Sequence, residues 1–499
     1  MKSIFTWTAC MMASLALSAQ QEVDVFNFSK TAIGGTARNM GVGGVMGSVG
    51  GDNSSVINNP GGLGFFQKGE ISLSPSLIFS NSKSTYLNET SQDFKNRFVF
   101  TNAAIVFTKK SRNAVLKASS FAIGVNRIQN FNNSTYFSAL NENNSFGEAL
   151  ARQLTQDIAK AGGPPRYSNG QLKNEEYNYY GYRQLNAFDA FVLDYDTGSK
   201  SAYAVTYGKN TQSGYRTSTG GINEIGFNWG GNFNSKIYWG MGINVDLLHY
   251  NQLTSFTEED YQQTNSPGFL SYTTTDNLEV RGTGVNLKTG VIIKPNDYLR
   301  LSTFIHTPTY YRVSEEYSNE LKSKFSGNDY TANSPISRFT YDMYTPWKFG
   351  LGATGVFRKS GFLAVEYELV DYSSASVDYD GFKQEQSRIN NLISTNYNLS
   401  HVLKIGGEFS YESFRVRAGY NHKTSSFNKL IAPAGAEEVV NSFTGGVGYR
   451  GDQFGVDLAF VRSIYSNYQN LYTSAGGESL GAINKNQFSQ IVLTTVFKF

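Results

Sequence analysis

From Gly34 to Gly44 the chain reads Gly-Gly-Thr-Ala-Arg-Asn-Met-Gly-Val-Gly-Gly, and from Asp52 to Leu63 it reads Asp-Asn-Ser-Ser-Val-Ile-Asn-Asn-Pro-Gly-Gly-Leu. Almost everything downstream has the rhythm of strands and hairpins; this stretch does not. Its glycines let the backbone turn tightly and lie close against other surfaces. Its apolar side chains, Ile33, Met40, Val42, Val45, Met46 and Val49, need cover. A compact, glycine-rich segment ahead of a long run of strands reads as a plug for whatever the strands enclose.

The strands alternate. From Ile237 the odd positions are Ile237, Trp239, Met241, Ile243, Val245 and Leu247; the even ones are Tyr238, Gly240, Gly242, Asn244 and Asp246. This period of two runs for about ten residues, the length a tilted barrel strand needs to cross a bilayer. Leu363 to Leu369 and Phe414 to Tyr420 repeat the pattern. Aromatic residues make up 14% of the chain, yet mean hydropathy is −0.35 and no run after the N-terminus has the length of a membrane helix. Strands with one greasy and one wet face, as in transmembrane barrels, reconcile these values. A net charge of +3 without a basic cluster argues against a nucleic-acid partner.

The ends of the chain place it. Met1-Lys2, the apolar run from Ile4 to Leu17 and Ser18-Ala19-Gln20 read as a secretory signal cut after Ala19. Removing residues 1–19 removes Cys10, and with it any disulfide or thiol chemistry. The last residues, Ile491 to Phe499, alternate and close on Phe, like the signal read by barrel-assembly machinery. Fourteen strand candidates begin near Gly69, Arg97, Ala114, Tyr215, Lys236, Asn277, Asp297, Ser337, Gly361, His401, Glu412, Asn441, Asp452 and Asn486. Short turns rich in Asn, Asp, Gly, Pro and Ser alternate with long connections, the asymmetry of periplasmic turns and outer loops. The reading is an all-β fold: a fourteen-stranded antiparallel transmembrane barrel over residues 68–499, with a hatch at 20–67 and a partly helical extracellular loop at 130–214. It is expected to be a monomer in a Gram-negative outer membrane, with lipid and the assembly machinery as partners.

Small-Ala-Arg-x-Met-Gly-x-Gly-Gly followed by Asp-x-x-Ser-x-x-x-x-Asn-Pro-x-Gly-Leu resembles the N-terminal hatch of FadL-type outer-membrane transporters, which import long-chain fatty acids and aromatic hydrocarbons. The family's Asn-Pro-Ala signature stands here as Asn59-Pro60-Gly61. Weaker likenesses lie at Leu299 to Pro308, Pro346 to Gly352 and Arg417 to Tyr420. The resemblance implies passive uptake of hydrophobic compounds, with Asn59, Pro60 and Gly61 gating the hatch. It implies an inward kink in the third strand, for which Gly124 is the candidate. It also implies an outer groove built by the long loop.

In that loop Ser145-Phe146-Gly147-Glu148 is a capping box, and Phe146, Leu150, Leu154 and Ile158 form one helical stripe ended by Gly162-Gly163. These four, with Phe188 and Phe191, are the groove candidates; packing of the stripe onto the rim is the alternative. Inward pleat positions hold Arg300, His306, Arg415, Arg417, Glu366 and Glu368. Either they brace the wall, or an arginine of the set grips a substrate carboxylate with its planar fork. Asp194, Asp196 and Gly198 lack the remaining ligands of a calcium loop. No catalytic motif is present, and neither a metal nor a cofactor is expected. A haem receptor, an outer-membrane enzyme and a structural or adhesive barrel are the competing readings.

Overall fold

The computed structural model describes residues 22–499 except 113–114, 169–170, 208, 261–264, 359, 429–437 and 475; the expected signal peptide lies outside these. Fourteen barrel strands run in chain order. They are β1 (Glu70–Tyr86), β2 (Glu89–Lys110), β3 (Leu116–Asn130, continued by Asn133–Asn141), β4 (Asn210–Phe233), β5 (Ile237–Glu259), β6 (Phe269–Asn296) and β7 (Leu299–His306 and Tyr310–Phe325). Then follow β8 (Ser337–Tyr344 and Lys348–Val356), β9 (Gly361–Asp371 and Ser376–Asp378), β10 (Leu399–Tyr411), β11 (Phe414–Lys423), β12 (Val440–Arg450), β13 (Phe454–Thr473) and β14 (Ser479–Lys498). Neighbours pair antiparallel, and β14 pairs with β1 from Glu70↔Lys498 to Thr85↔Ile483, so the sheet closes into a barrel.

The pleat sorts the side chains. In β5, Ile243 is 51% exposed on the outer face while Asn244 is 0% exposed on the inner one. The same split recurs around the ring, with Leu77, Phe227, Leu287, Leu351, Leu363, Ile405, Val447 and Leu493 all outward and exposed. An apolar belt around the outside of a closed barrel, with polar groups buried within, fits only a lipid surround. The chain is therefore a membrane-spanning barrel of the outer-membrane type.

Three strands break at one height. β7 is interrupted at Thr307-Pro308-Thr309, β8 at Thr345-Pro346-Trp347 and β9 by a 3-10 turn at Tyr372–Ser374. Pro308 and Pro346 have no N–H to give the ladder. Threonine hydroxyls fill in: Thr309 N donates to Thr345 Oγ1 at 2.8 Å and Leu287 N to Thr307 Oγ1 at 3.0 Å.

Two expectations need correction. β1 and β2 extend much further outward than the start near Arg97 suggests, and they join through a two-residue turn rather than a long outer loop. Leu87 and Asn88 both take positive φ, 46° and 68°, the geometry of a tight hairpin. The long loop is shorter than 130–214, because β3 resumes at Asn133 and β4 begins at Asn210.

Inside the barrel lie helices α1 (Glu22–Ser29), α2 (Ala37–Gly41) and α3 (Ser55–Asn58), then a 3-10 turn, Pro60–Phe65. Over the outer mouth lie α4 (Phe146–Ala161) and α5 (Tyr182–Asp189). The capping box of α4 is formed in full, and the helix ends on Gly162 in the left-handed conformation. A helix absent from the sequence reading, α6 (Lys383–Asn396), covers α1 with Ile389 and Ile393.

Candidate functional site

The internal segment rests on the wall at two glycine seats. Asn59 accepts from Gly61 N at 2.9 Å and donates to Gly47 O at 2.8 Å, so its side chain ties the turn before Pro60 to a distant part of the same segment. The Pro60-Gly61 backbone lies against Gly230, Gly240 and Gly290 of β4, β5 and β6. A Cβ on Gly61 would sit 2.9 Å from both Tyr238 O and Gly290 O. Glycine in place of the family's alanine follows from this contact. On the other side Val42-Gly43 lies against Gly406 of β10 and Gly419 of β11, where an added Cβ would meet Val42 C at 2.8 Å and Thr444 Oγ1 at 2.7 Å.

Polar clamps complete the fit. Glu366, wholly buried, accepts from Gly47 N at 2.6 Å, Asn58 Nδ2 at 2.9 Å and Lys404 Nζ at 2.8 Å. Lys404 also reaches Glu368 at 2.6 Å. Ser48 Oγ meets Thr354 Oγ1 at 2.6 Å, and Ala37 N donates to Thr494 Oγ1 at 2.7 Å.

The four residues predicted to hold a substrate headgroup are engaged otherwise. Arg300 donates to Val49 O and stacks its guanidinium 4.3 Å from the Phe65 ring centre. His306 Nε2 donates to Asn58 O at 2.6 Å, which ties the ring to the hatch. Arg415 caps the β10–β11 turn through Glu412 O and Phe414 O, both at 2.7 Å, outside the lumen cavity. Arg417 pairs with Glu408 and Asp457 at 2.7 Å each, and Arg38 of the hatch joins Glu408 at 3.0 Å. A charge as deeply buried as that of Arg417 persists only with such partners.

Among the cations that line the cavity are Lys348 and Lys423, which the sequence reading did not single out; Arg127 and Arg216 line it too. Lys348 Nζ donates to Thr31 Oγ1 at 2.9 Å; Lys423 Nζ donates to the Tyr372 hydroxyl at 2.9 Å and lies 4.8 Å from its ring centre. Among the described residues neither forms an ion pair. The only sequence sign was a lone lysine at the end of a strand segment, which looks the same whether or not a carboxylate waits opposite.

Gly124 lies in unbroken pairing with Ala104 and Gly226. The irregularity of β3 comes later. Its register against β4 slips between Arg127 and Gln129, and the strand stops at Asn130 before resuming at Asn133. Pairing of β2 with β3 ends at Asn102↔Asn126, although β2 continues outward to Glu89. Beyond the break β3 turns inside the wall, and Ser82 Oγ of β1 donates to Ser134 O at 2.5 Å. The hatch touches the slip directly: Ala32 N donates to Ile128 O at 2.8 Å, and Gly34 packs on Arg127 O with no room for a side chain. The candidate kink thus moves from Gly124 to residues 127–132.

The groove candidates divide. Phe146, Leu150, Leu154 and Ile158 are all buried, packed with Leu185, Val192, Phe256, Tyr272 and Tyr472. The stripe faces inward because the barrel rim supplies the apolar cover it needs, so α4 forms a lid and not an open groove. Glu258 pins it, accepting from Phe146 N at 2.7 Å, Ser145 Oγ at 2.9 Å and Tyr272 Oη at 2.8 Å. Phe188 is half-buried beside Tyr167, and only Phe191 is well exposed, 4.6 Å from Tyr330 by ring centres.

Between lid and hatch lies a cavity of about 1110 Å³. Helix α1 intrudes on it, and its Phe26 sits in an aromatic cage, 4.5 Å from Tyr397, 5.1 Å from Tyr372 and 5.2 Å from Phe427 by ring centres. Lys30 covers the Phe26 ring at 4.3 Å and pairs with Glu438 at 3.0 Å. Both lysines of the wall border this space.

No protein-family model matches the chain, and no curated protein does. Solved structures do. A Pseudomonas aeruginosa FadL homologue superposes with a TM-score of 0.56 at 12% identity, over 94% of this chain and 99% of its own. The P. putida toluene transporter TodX gives 0.53 at 11%, over 94% and 99%. The Ralstonia pickettii toluene transporter TbuX gives 0.50 at 14%, over 95% and 100%. At such identities the likeness speaks for architecture, and the protein has the fold of a FadL-type barrel.

Proposed function

We propose that the protein is an outer-membrane channel for the passive uptake of hydrophobic compounds, long-chain fatty acids or aromatic hydrocarbons. The observation that carries this reading is the cavity in the lumen. It exceeds the ~300–1,000 Å³ usual for a small-molecule pocket, it combines an aromatic cage with two lysines that form no ion pair among the described residues, and it lies between a lid and a hatch. Phe26 in the cage stands where an aromatic or acyl group would bind. Lys348 and Lys423 suit a substrate that ends in a carboxylate, since a charge-assisted hydrogen bond is worth about 1.5–3 kcal/mol. The hatch turn at Asn59-Pro60-Gly61 is the gate. The parallel with the toluene transporters extends the proposal to neutral aromatics.

Calorimetric titration of the mature barrel with a long-chain fatty acid and with toluene tests it. The wall tryptophans face outward, Trp239 and Trp347 among the exposed side chains, and report poorly on the lumen. Saturable binding of at least one ligand is expected. Lys348→Met with Lys423→Met is expected to weaken the fatty acid about tenfold or more and to leave toluene unchanged. Binding of neither ligand by the folded barrel would remove the proposal's support.

A further inference from the structure

On the outer face the pairing register fixes which side chains share a level. Leu458, Leu493 and Pro75 lie together, with Phe460, Ile491 and Leu77 one row further out. These rows of β13, β14 and β1 belong to the apolar belt. Immediately beyond it come Arg462 beside Ser489, then Gln487 beside Asn81, then Lys485 directly opposite Lys83. All three cations are exposed and outward. Arg462 donates to Gln487 Oε1 at 2.6 Å. None of the three forms an ion pair among the described residues, and the neighbouring outward positions, Ser466, Ile464, Asn81, Phe94 and Gln92, carry no carboxylate.

The far side of the barrel shows what this protein does elsewhere with outward cations at such a level. Arg281 pairs with Glu279 at 2.5 Å, Arg312 with Asp342 at 2.8 Å and Arg338 with Glu316 at 2.8 Å. Like charges directly opposed across two strands destabilise a sheet, so Lys83 facing Lys485 costs stability unless an anion lies between them. We propose that Lys83, Lys485 and Arg462 bind the phosphate groups of an outer-leaflet lipid. The position selects the source: Lys83 stands thirteen residues from the inner end of β1 at Glu70, and at ~3.3 Å per residue and a ~40° tilt that is about 33 Å up, just above an apolar band of ~25 Å. Lipid headgroups lie at that height.

The test uses the mature barrel in detergent and three probes: a glycolipid carrying two phosphates, the same glycolipid dephosphorylated, and inorganic phosphate. Retention is read by native mass spectrometry and by the thermal midpoint. The phosphorylated lipid is expected to be retained over the dephosphorylated one. Each cation changed to Gln should weaken retention about fivefold, from ~1 kcal/mol per basic residue near an anionic surface. Exchange of the paired Arg281 and Arg312 should leave it unchanged. Lys83→Gln alone separates binding from folding: with the like-charge opposition gone it should raise the midpoint in lipid-free detergent while lowering lipid retention. Equal retention of the two glycolipids, or of wild type and the triple variant, would overturn the proposal. Full displacement by inorganic phosphate would reduce the site to a simple ion contact and also overturn it.

Discussion

Glu366 ties hatch to wall, holding two stretches of the hatch and one lysine of the wall through its two carboxylate oxygens. Glu366→Gln keeps the volume and turns one of those acceptors into a donor facing Gly47 N or Lys404. Loss of a charged acceptor should cost the docked hatch about 1–3 kcal/mol. The expected result is protease cleavage within residues 22–66 at a dose that spares the wild type, together with faster leakage of small polar solutes into barrel-bearing liposomes. An unchanged cleavage pattern would count against the clamp. At this scale the sequence was uneven as a guide. Asn59, Pro60 and the inward pleat of Arg300, Arg417, Glu366 and Glu368 were legible, because a motif or a period of two locates them. Whether an inward charge is free or paired depends on a partner many residues away, as with Arg417 and Asp457. Lys348 and Lys423 therefore passed unnoticed while four committed side chains drew attention.

The strands were readable because alternation is dictated by the bilayer on one side and the lumen on the other. Irregularities within them were not. The slip at Arg127–Gln129 carries no glycine or proline to mark it, whereas Gly124 looked like a kink and sits in regular pairing. Helix α4 was read correctly as a helix, but the direction of its stripe depends on the rim aromatics of distant strands. The lid also carries a pH dependence. Burial pushes the Asp157 carboxyl above the usual range, against a bond from Gly181 N and the nearby Lys160. Burial raises Glu148 too, opposed by Ser145 N and reinforced by Glu258. A carboxyl whose value is raised by docking favours the docked form while protonated, so this contribution is full below the ordinary carboxylate range. It is lost as pH rises through the raised values. Hydrogen exchange over α4 and α5 should accelerate as pH climbs through that window, after correction for intrinsic exchange; Asp157→Asn with Glu148→Gln should flatten the change.

For the whole molecule the question is whether the hatch must move as a body. Ser48 and Thr354 bring their hydroxyls within 2.6 Å, and the sequence beyond Cys10 has no cysteine. Ser48→Cys with Thr354→Cys therefore creates a single disulfide between hatch and wall. Uptake is expected to fall when the pair is oxidised and to recover on reduction; undiminished uptake in the oxidised form would mean that passage needs no hatch displacement. Strand lengths bear on the other end of the route. β6 has 28 residues and β11 only 10. With ~3.3 Å per residue and a ~40° tilt, strand β6 rises about 70 Å and strand β11 about 25 Å, no more than the apolar band it crosses. The vessel is a jug with a deep spout. A greasy guest already dissolved in the outer leaflet meets the lip at β10, β11 and β12 almost level with itself, under α6, while one coming from water faces a palisade on the opposite shore. Under the proposed uptake role, a rim of this shape would favour arrivals from the bilayer over arrivals from solution.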